Sequence, residues 1–494
     1  MKPTAAVANP VTKRVFLAAR ECLARGRFAR DADRAPITHE LQWLFWTGNQ
    51  IGRLAREFLG AGHLLPTAPV PVALDASQAA LAEAAEGALL YECTFAWRSF
   101  IARADALRRT ANGWELLEVK SGKSDPEGKV KDEYIEDIAY TIFVARAAGC
   151  RVEQATLVLI NHEYVLDVPP LFACADVSAS AFAMADVYAA EATAIEAALL
   201  AEERPTPALQ YVCKKCEYFE DRCVGKGVPD PLFAIPRLME KRFEEIRQYE
   251  RVSRIPASVK FTVTQQRVVD MFRSGQPYVN AAGLALLDDV AWPAYYLDFE
   301  AVSPALPWFE GNASYETLLF QYSLDVCRAP GEVVAHHELL ADVDGDWRRG
   351  FAESLLDALG TAGSIVVYSS YEKARLGELA QRLPDLQPRI DAVIARLWDL
   401  EKVFREGYAH PDFGGRTSIK KVLPVLTTES YASLAVGDGG NASALFGLMR
   451  VGEYPAETHA EHRANLLAYC GLDTMAMVRL HAEVCRIRRG LSGF

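Results

Sequence analysis

Hydrophobic and polar positions follow two different rhythms in the first half of the chain, and they predict a buried sheet flanked by helices. Short apolar runs at 114–120 ("WELLEVK") and 155–161 ("ATLVLIN") are typical of buried strands. Residues 77–90 and the Ala- and Glu-rich stretch 178–203 have helical composition. Three prolines in "HLLPTAPVPVALD" (63–75) favour an extended connector. The pattern predicts an α/β fold.

A mainly helical pattern follows, and a second α/β pattern begins near residue 291. "TVTQQRVVDMFRSGQP" (262–277) starts with Thr and stops with Gly-Pro, which predicts a helix. "AYYLDFEAV" and "GSIVVYSS" then read as strands. A chain of 494 residues is too long for one ordinary core. We therefore expect a domain at 1–228, a helical bridge at 229–290 and a domain at 291–494.

Composition and charge bear on whether the protein binds nucleic acid or a membrane, but they do not identify a partner. The formal net charge of −12 argues against broad electrostatic attraction to nucleic acid, although local sites can override it. The chain has no run of 18 uncharged apolar residues, so no membrane helix is predicted. Its start lacks the apolar core of a secretory signal, and we expect a cytoplasmic protein with no membrane partner.

Acidic residues interrupt the first group of buried segments. Glu118 and Lys120 are two apart on a predicted strand, so their side chains leave the same face. Asp105 and Glu118 would offer oxygen ligands to Mg²⁺ or Mn²⁺, and Glu92 on the preceding strand could complete an acidic ring. Lys120 would orient the nucleophile or offset charge on the transition state. Spacing alone leaves a solvated edge strand as the alternative.

These segments resemble the PD-(D/E)XK nuclease superfamily, in particular RecB-like nucleases and the iron–sulfur nucleases associated with CRISPR spacer acquisition. The similarity lies in "ARADAL", "LEVK" and the following "YIEDIAYTIFVARAAG". It implies a restriction-endonuclease-like mixed sheet, with Glu92, Asp105, Glu118 and Lys120 catalytic. The sequence departs from the family's Gln-x-x-x-Tyr helix motif, because Thr141 and Ala145 stand there.

Cysteines cluster after this region in "YVCKKCEYFEDRC", with the spacing C-x2-C-x6-C. Clustered thiolates favour soft metals or an iron–sulfur cluster, and a fourth ligand is needed. In the iron–sulfur nucleases one Cys precedes the nuclease core and three follow it. That resemblance implies a [4Fe–4S] cluster, while zinc and free thiols stay open as alternatives. The candidate ligands are Cys22, Cys213, Cys216 and Cys223.

A second acidic set lies in the last third of the chain. Asp298 and Glu300 are two apart on a predicted strand, and Tyr469 and Asp473 are four apart on a predicted helix. Buried carboxylates are costly unless they bind a cation or a proton, so a pair of metal ions would explain them. The alternative is that Asp298, Glu300, Asp473 and a further acid, Glu372, are four unrelated structural residues.

This stretch resembles the DEDD exonucleases of the RNase H-like fold, in their Tyr subtype. The similarity lies in "LDFEAV", "VVYSSYEKARL" and "YCGLDTMAMV", with "SIKKVLP" (418–424) before the last motif. It implies that Asp298, Glu300, Glu372, Tyr469 and Asp473 are catalytic. Glu372 stands where the family normally has Asp. The whole chain is similar to a bacterial family that fuses the two modules, most clearly over 285–326.

The two resemblances imply a metal-dependent nuclease with two hydrolytic modules. We expect DNA with single-stranded or free ends to be favoured over RNA, in DNA repair or defence. The sequence has no nucleotide-binding loop of the helicase type, so an unwinding partner would be a separate chain. One alternative is an RNA-processing 3′–5′ exonuclease in which only the C-terminal module cuts. Another is a non-catalytic nucleic-acid-binding scaffold.

Overall fold

The computed structural model describes residues 9–32, 36–166, 168 and 170–491. The chain divides into two compact units, and its mixed sheets and helices confirm the predicted α/β class. The first unit comprises Met1–Ile37, Leu44–Lys226 and Ala305–Glu316. The second comprises Thr38–Trp43, Gly227–Pro304 and Thr317–Phe494, and it includes the segment 229–290.

A six-stranded mixed sheet, ordered β1-β2-β3-β4-β5-β6, organises the first unit. Strands β2, β3 and β4 pair antiparallel, β4 and β5 pair parallel, and β6 is antiparallel to β5. The parallel pair is joined by a helix, as a crossover requires. The strands are β1 (His63–Leu64), β2 (Leu89–Trp97), β3 (Phe100–Arg109), β4 (Trp114–Lys123), β5 (Val152–Ile160) and β6 (Phe172–Asp176).

Both faces of this sheet are covered, which explains its near-continuous apolar strands. Leu116 and Leu157 pack in a core with α5 and α6, whereas Leu117 and Val158 pack in another with α3. Burying one such leucine contributes roughly 1.5–3 kcal/mol. The helices are α1 (Lys13–Glu21), α2 (Leu23–Asp31), α3 (His39–Leu59), α4 (Val70–Glu83), α5 (Asp132–Ala147), α6 (Ser178–Leu200) and α7 (Phe219–Arg222).

The local predictions succeed where pattern and capping agree. The helix predicted at 178–203 is confirmed as α6, and the strands at 114–120 and 155–161 lie within β4 and β5. The extended connector at 63–75 is wrong from Val70 onward, because α4 begins there, with Pro69 as its N-cap. A proline in the first helical turn removes no intrahelical hydrogen bond, so these prolines mark a helix start.

The second unit is built on a five-stranded sheet with the order β10-β9-β8-β11-β12. Strand β9 is antiparallel to β8 and β10, whereas β8, β11 and β12 are parallel. A separate two-stranded sheet joins β7 and β13. The strands are β7 (Tyr278–Val279), β8 (Ala294–Val302), β9 (Leu318–Ala329), β10 (Glu332–Leu340), β11 (Ile365–Val367), β12 (Leu397–Asp399) and β13 (Tyr408–Ala409).

Strand β8 occupies the centre of that sheet, and the long helix α17 packs across β8 and β9. The helix predicted at 262–277 is confirmed as α9, with Thr262 capping its start and Gly275 at a φ of 66° ending it. The helices are α8 (Glu240–Ile246), α9 (Val263–Ser274), α10 (Ala281–Leu284), α11 (Arg348–Ala358), α12 (Tyr371–Arg382), α13 (Gln387–Ile394), α14 (Glu401–Glu406), α15 (Ile419–Leu426), α16 (Gly439–Arg450) and α17 (His459–Leu491). Across the described ranges, every helix is too short or too polar to cross a membrane.

Candidate metal centres

The first acidic set lies where β3 and β4 separate. Their paired residues end at Ala106 and Leu117, just before Asp105 on β3. The Val119 N–H donates to Asp105 Oδ2 at 2.7 Å, so this carboxylate takes a backbone donor that the ladder leaves free. The structure thereby brings Asp105 beside β4, the strand that carries Glu118 and Lys120.

Glu118 is bound by two lysines through one of its oxygens. Lys13 Nζ and Lys120 Nζ lie 3.1 and 3.0 Å from Glu118 Oε1. Asp137 on α5 accepts from Lys120 and lies 3.3 Å from Lys13 Nζ. Glu118 Oε2 is buried and has no hydrogen-bond partner within the described part of the chain. This oxygen is therefore available to a proton or a cation.

The two acids of this set differ sharply in protonation. Burial and the charge of Glu118 raise the pKa of Asp105 to about 7. Burial opposes ionisation of Glu118, but the charges of Lys13 and Lys120 outweigh it and lower the pKa of Glu118 to about 2. The two lysines thus favour the ionised form of Glu118, whereas burial and the charge of Glu118 favour the protonated form of Asp105.

Glu92 is close to this set without joining a compact ligand group. It adopts a φ of 63° and drops out of the β2–β3 register, and its carboxylate lies 3.8 Å from Arg103. Its charge still contributes to raising the pKa of Asp105. Within the described residues, a group of three metal-ligand atoms that lie within 4.8 Å of one another occurs elsewhere in the chain, and that group does not include Glu92, Asp105 or Glu118.

Sequence reasoning missed Lys13 and Asp137. Asp137 lies one helical turn before Thr141, which is buried on α5 and donates to the Asp137 carbonyl at 3.4 Å. Asp137, the second acid of "YIEDIAY", could therefore have been predicted as a member of this site from its place on the helix. Lys13 lies 105 residues before Glu118, and no spacing rule connects the two.

The four candidate cysteines are brought within electrostatic reach of one another. Cys22 separates α1 from α2, and the other three lie in the 211–223 segment. Burial raises the pKa of Cys213, and the charges of Cys22, Cys223 and Cys216 raise it further. The Gln210 N–H donates to Cys213 Sγ at 3.4 Å, which orients that sulfur. No three of the four sulfurs lie within 4.8 Å of one another.

The second acidic set is more compact. Asp298 and Glu300 project from β8, and Asp473 projects from α17, with ligand oxygens of all three within 4.8 Å of one another. Glu300 and Asp473 are each 7% exposed. Cys470, which also lies on α17, places its Sγ 3.5 Å from Asp298 Oδ2. The predicted convergence of strand and helix acids is present in the structure.

These three carboxylates repel one another in a buried setting. Burial raises the pKa of Asp298 well above its usual value, and the charges of Asp473 and Glu300 add to the effect. Burial and Asp473 raise the pKa of Glu300 in the same way. Burial also raises the pKa of Asp473 to about 6, against the opposing effects of Tyr431 and Lys420. A hard divalent cation would relieve this repulsion, and oxygen ligands suit it.

Glu372 extends the acidic set from the first turn of α12. It is 4% exposed, and its Oε2 has no hydrogen-bond partner within the described residues. Burial raises its pKa to about 7, and the charges of Asp399 and Asp473 contribute. Glu372 therefore lies within electrostatic range of Asp298 and Asp473.

Two tyrosines and a lysine border Asp473. The Tyr431 hydroxyl donates to Asp473 Oδ1 at 2.6 Å, and Tyr469 also lowers the pKa of Asp473 through a hydrogen bond. Lys420 Nζ lies 5.3 and 5.2 Å from the ring centres of Tyr431 and Tyr469 and donates to the Gly437 carbonyl. Lys420 belongs to the "SIKKVLP" segment, whereas Tyr431 carried no sequence signal.

Comparison with known proteins reaches only part of this second unit. A family model described as "Domain of unknown function (DUF2779)" matches residues 295–418. The match includes Asp298, Glu300 and Glu372 and stops before Lys420 and Asp473. No curated protein and no solved structure matches the chain.

Proposed function

We propose that this chain is a metal-dependent nuclease with two hydrolytic modules that act on phosphodiester bonds. The observation that carries the proposal is the group formed by Asp298, Glu300 and Asp473, whose oxygens lie within 4.8 Å of one another. Buried, mutually repelling carboxylates have a clear chemical use as ligands for Mg²⁺ or Mn²⁺. The substrate we favour is DNA with single-stranded or free ends.

Each side chain of the second module has a distinct part in this proposal. A bound divalent cation would polarise a phosphoryl oxygen and lower the pKa of water. Tyr431 and Tyr469 hold Asp473 by hydrogen bonds and fix its orientation. Lys420 places a positive charge near Glu300 and Asp473. Glu372, whose buried Oε2 has no hydrogen-bond partner within the described residues, is our candidate acceptor for the proton of the attacking water.

The sheet topologies support the same interpretation. In the second unit the acid-bearing β8 is central in the order β10-β9-β8-β11-β12, as an RNase H-like domain requires. In the first unit an antiparallel β2-β3-β4 meander is followed by α5 and the parallel β5. That order agrees with a PD-(D/E)XK core in which Asp105 and Glu118 bind a cation and Lys120 offsets charge.

For the four cysteines we propose a [4Fe–4S] cluster rather than zinc. The resemblance to the iron–sulfur nucleases supports this choice, because one Cys, Cys22, precedes the nuclease-like core and three, Cys213, Cys216 and Cys223, follow it. The charges of Cys22, Cys216 and Cys223 all act on Cys213, so the four thiols lie within electrostatic reach of one another. Its ligands would link the α1–α2 junction to residues 211–223, and closing so long a loop restricts the unfolded chain.

Metal analysis of anaerobically purified protein tests the cysteine assignment. We expect iron and sulfide, with visible absorbance that bleaches on reduction by dithionite. Cys213→Ser should lose the iron, whereas Cys174→Ser, at an exposed position on β6, should retain it. Zinc without iron in the parent protein would contradict the cluster.

Cleavage of end-labelled single-stranded DNA and RNA, with Mn²⁺ or with EDTA, tests the nuclease proposal. Asp298→Asn should slow cleavage by the second module by about 10³-fold, and Lys120→Ala should remove the products of the first module. The double variant should be inactive, and Asp391→Asn, at an exposed position on α13, should match the parent. Strand binding without cleavage would favour a scaffold, and cleavage of RNA alone would favour RNA processing.

A further inference from the structure

The backbone just before Lys13 is fixed beside the first acidic site. Two residues earlier, the Val11 N–H donates to the Ser99 carbonyl at 2.8 Å and the Val11 carbonyl accepts from the Ile101 N–H at 3.1 Å. The buried Tyr140 hydroxyl also donates to the Val11 carbonyl, at 2.7 Å. These bonds attach the chain to β3 just before α1 begins, so the position of Lys13 is set by the sheet.

Helix stability does not explain a lysine at this position. Lys13 is the first residue of α1, where the helix dipole disfavours a positive charge. Its ammonium instead reaches Glu118 Oε1 and Asp137 Oδ2, at 3.1 and 3.3 Å. Lys120 already pairs with both of these acids. Two ammoniums therefore face two carboxylates, and this network is balanced in charge before any cation binds.

The two lysines differ in access to solvent. The Lys13 side chain is 33% exposed and the Lys120 side chain is 15% exposed. Both lysines contact the same Glu118 oxygen, Oε1, while its Oε2 is buried and has no hydrogen-bond partner among the residues that the structure describes. A cation shared by Glu118 and Asp105 would draw negative charge away from the lysines. The more exposed ammonium, that of Lys13, is then the one that can turn to an incoming anion.

We propose that Lys13 binds a phosphate group of a nucleic-acid strand at the first acidic site, beside Lys120. This inference rests on the proposed nuclease function of the first module and adds a substrate contact to it. The ligand is a phosphodiester or terminal phosphate oxygen, because a compact ammonium recognises it as a point charge. Lys120 stays paired with Asp137 and Glu118, while Lys13 contacts the strand.

The test uses the full chain carrying Asp298→Asn, so that the first module is measured alone. Lys13→Gln removes the charge but keeps a hydrogen-bond donor for Glu118, and Lys13→Arg keeps the charge. Lys241→Ala, an exposed lysine on α8, is the control for loss of one positive charge elsewhere. Binding of a fluorescent single-stranded oligonucleotide is followed by anisotropy in Ca²⁺ over a range of salt, and cleavage is followed in Mn²⁺.

We expect Lys13→Gln to weaken binding by about 5–10-fold and to reduce the slope of log affinity against log salt by about 0.7, since one phosphate contact is lost. Cleavage should fall by at least as much, and Lys13→Arg should restore most of both. A merely structural ion pair would leave the salt slope unchanged. Circular dichroism identifies any variant that fails to fold, and if Lys13→Gln is one of them, Lys13→Met replaces it in the same salt-slope comparison.

Two failures are distinguishable. If Lys13→Gln matches the parent in affinity, salt slope and cleavage, the phosphate contact is wrong while the nuclease function stands. If the Asp298→Asn background does not cleave in Mn²⁺, hydrolysis by the first module is wrong. In that case a reduced salt slope for Lys13→Gln still supports the phosphate contact, and an unchanged slope overturns it.

Discussion

The two acidic sites of this chain solve the same electrostatic problem in opposite ways. In the first unit, Lys13 and Lys120 contact Glu118 directly, so the protein itself neutralises the carboxylate. In the second unit, Asp298, Glu300 and Asp473 form no ion pair within the described residues, and the charge of Lys420 acts only on Glu300 and Asp473. The first site is balanced before a cation arrives, whereas the second is left with repulsion that a cation would remove.

The largest expected effect concerns the stability of the metal-free protein, which one substitution should lower and another should leave equal or raise. In EDTA, Glu118→Gln leaves two ammoniums with only Asp137, and breaking such a partly buried network should cost about 3 kcal/mol. Asp298→Asn removes one of the repelling acids and should leave stability equal or raise it by about 1 kcal/mol. Calorimetric unfolding of each variant, beside Asp391→Asn, measures both changes.

That comparison breaks if both substitutions destabilise equally. Equal losses would mean that the acids of the second unit are held by favourable contacts, as in an ordinary buried network. Added Mn²⁺ separates the cases further, because it should stabilise the parent and Glu118→Gln more than Asp298→Asn.

Sequence reasoning identified the acids of both sites because each lies on an element with a clear period. Asp298 and Glu300 on β8, and Tyr469 and Asp473 on α17, were predicted on the elements where the structure has them. The neighbours that tune them were not predictable in the same way. Tyr431 reaches Asp473 across 42 residues, through a segment whose pattern gives no direction to its side chain.

A second limit of prediction from the sequence concerns proline, which occurs both in connectors and at helix starts. The prolines of 63–75 suggested a connector, yet Val70 begins α4, because proline is equally suited to a helix start. A single sequence offers no way to choose between these uses when the following residues are weak in pattern. Where a cap and a periodic face agreed, as from Thr262 to Gly275, both helix ends were predicted to within a few residues.

The next effect is smaller and concerns how the stability of the metal-free protein changes with pH through Glu372. The pKa of Glu372 is about 7 in the folded protein and near 4.5 when unfolded, so the folded state binds more protons between these values. Stability without metal should therefore fall as pH rises, by about 2 kcal/mol between roughly pH 5.5 and 7.5. Glu372→Gln should remove that part of the slope, as measured by calorimetry in EDTA. An unchanged slope would assign the pH dependence to other acids, with Asp105 the first to examine.

The smallest effect concerns the hydroxyls that orient Asp473. Tyr431→Phe deletes a 2.6 Å donor to Asp473 Oδ1 but keeps the ring against which Lys420 lies. A hydrogen bond to a charged group contributes about 1.5–3 kcal/mol, and the neighbouring Tyr469 should recover part of the loss. We expect Mn²⁺ affinity to fall by about 5–10-fold, measured by titration calorimetry on protein carrying Asp105→Asn, which removes a proposed cation ligand of the first site. Tyr408→Phe, a buried tyrosine of β13, is the control for loss of a hydroxyl elsewhere. An undiminished affinity in Tyr431→Phe would mean that Asp473 is held by the helix alone, and that its bond to Tyr431 has no part in binding the ion.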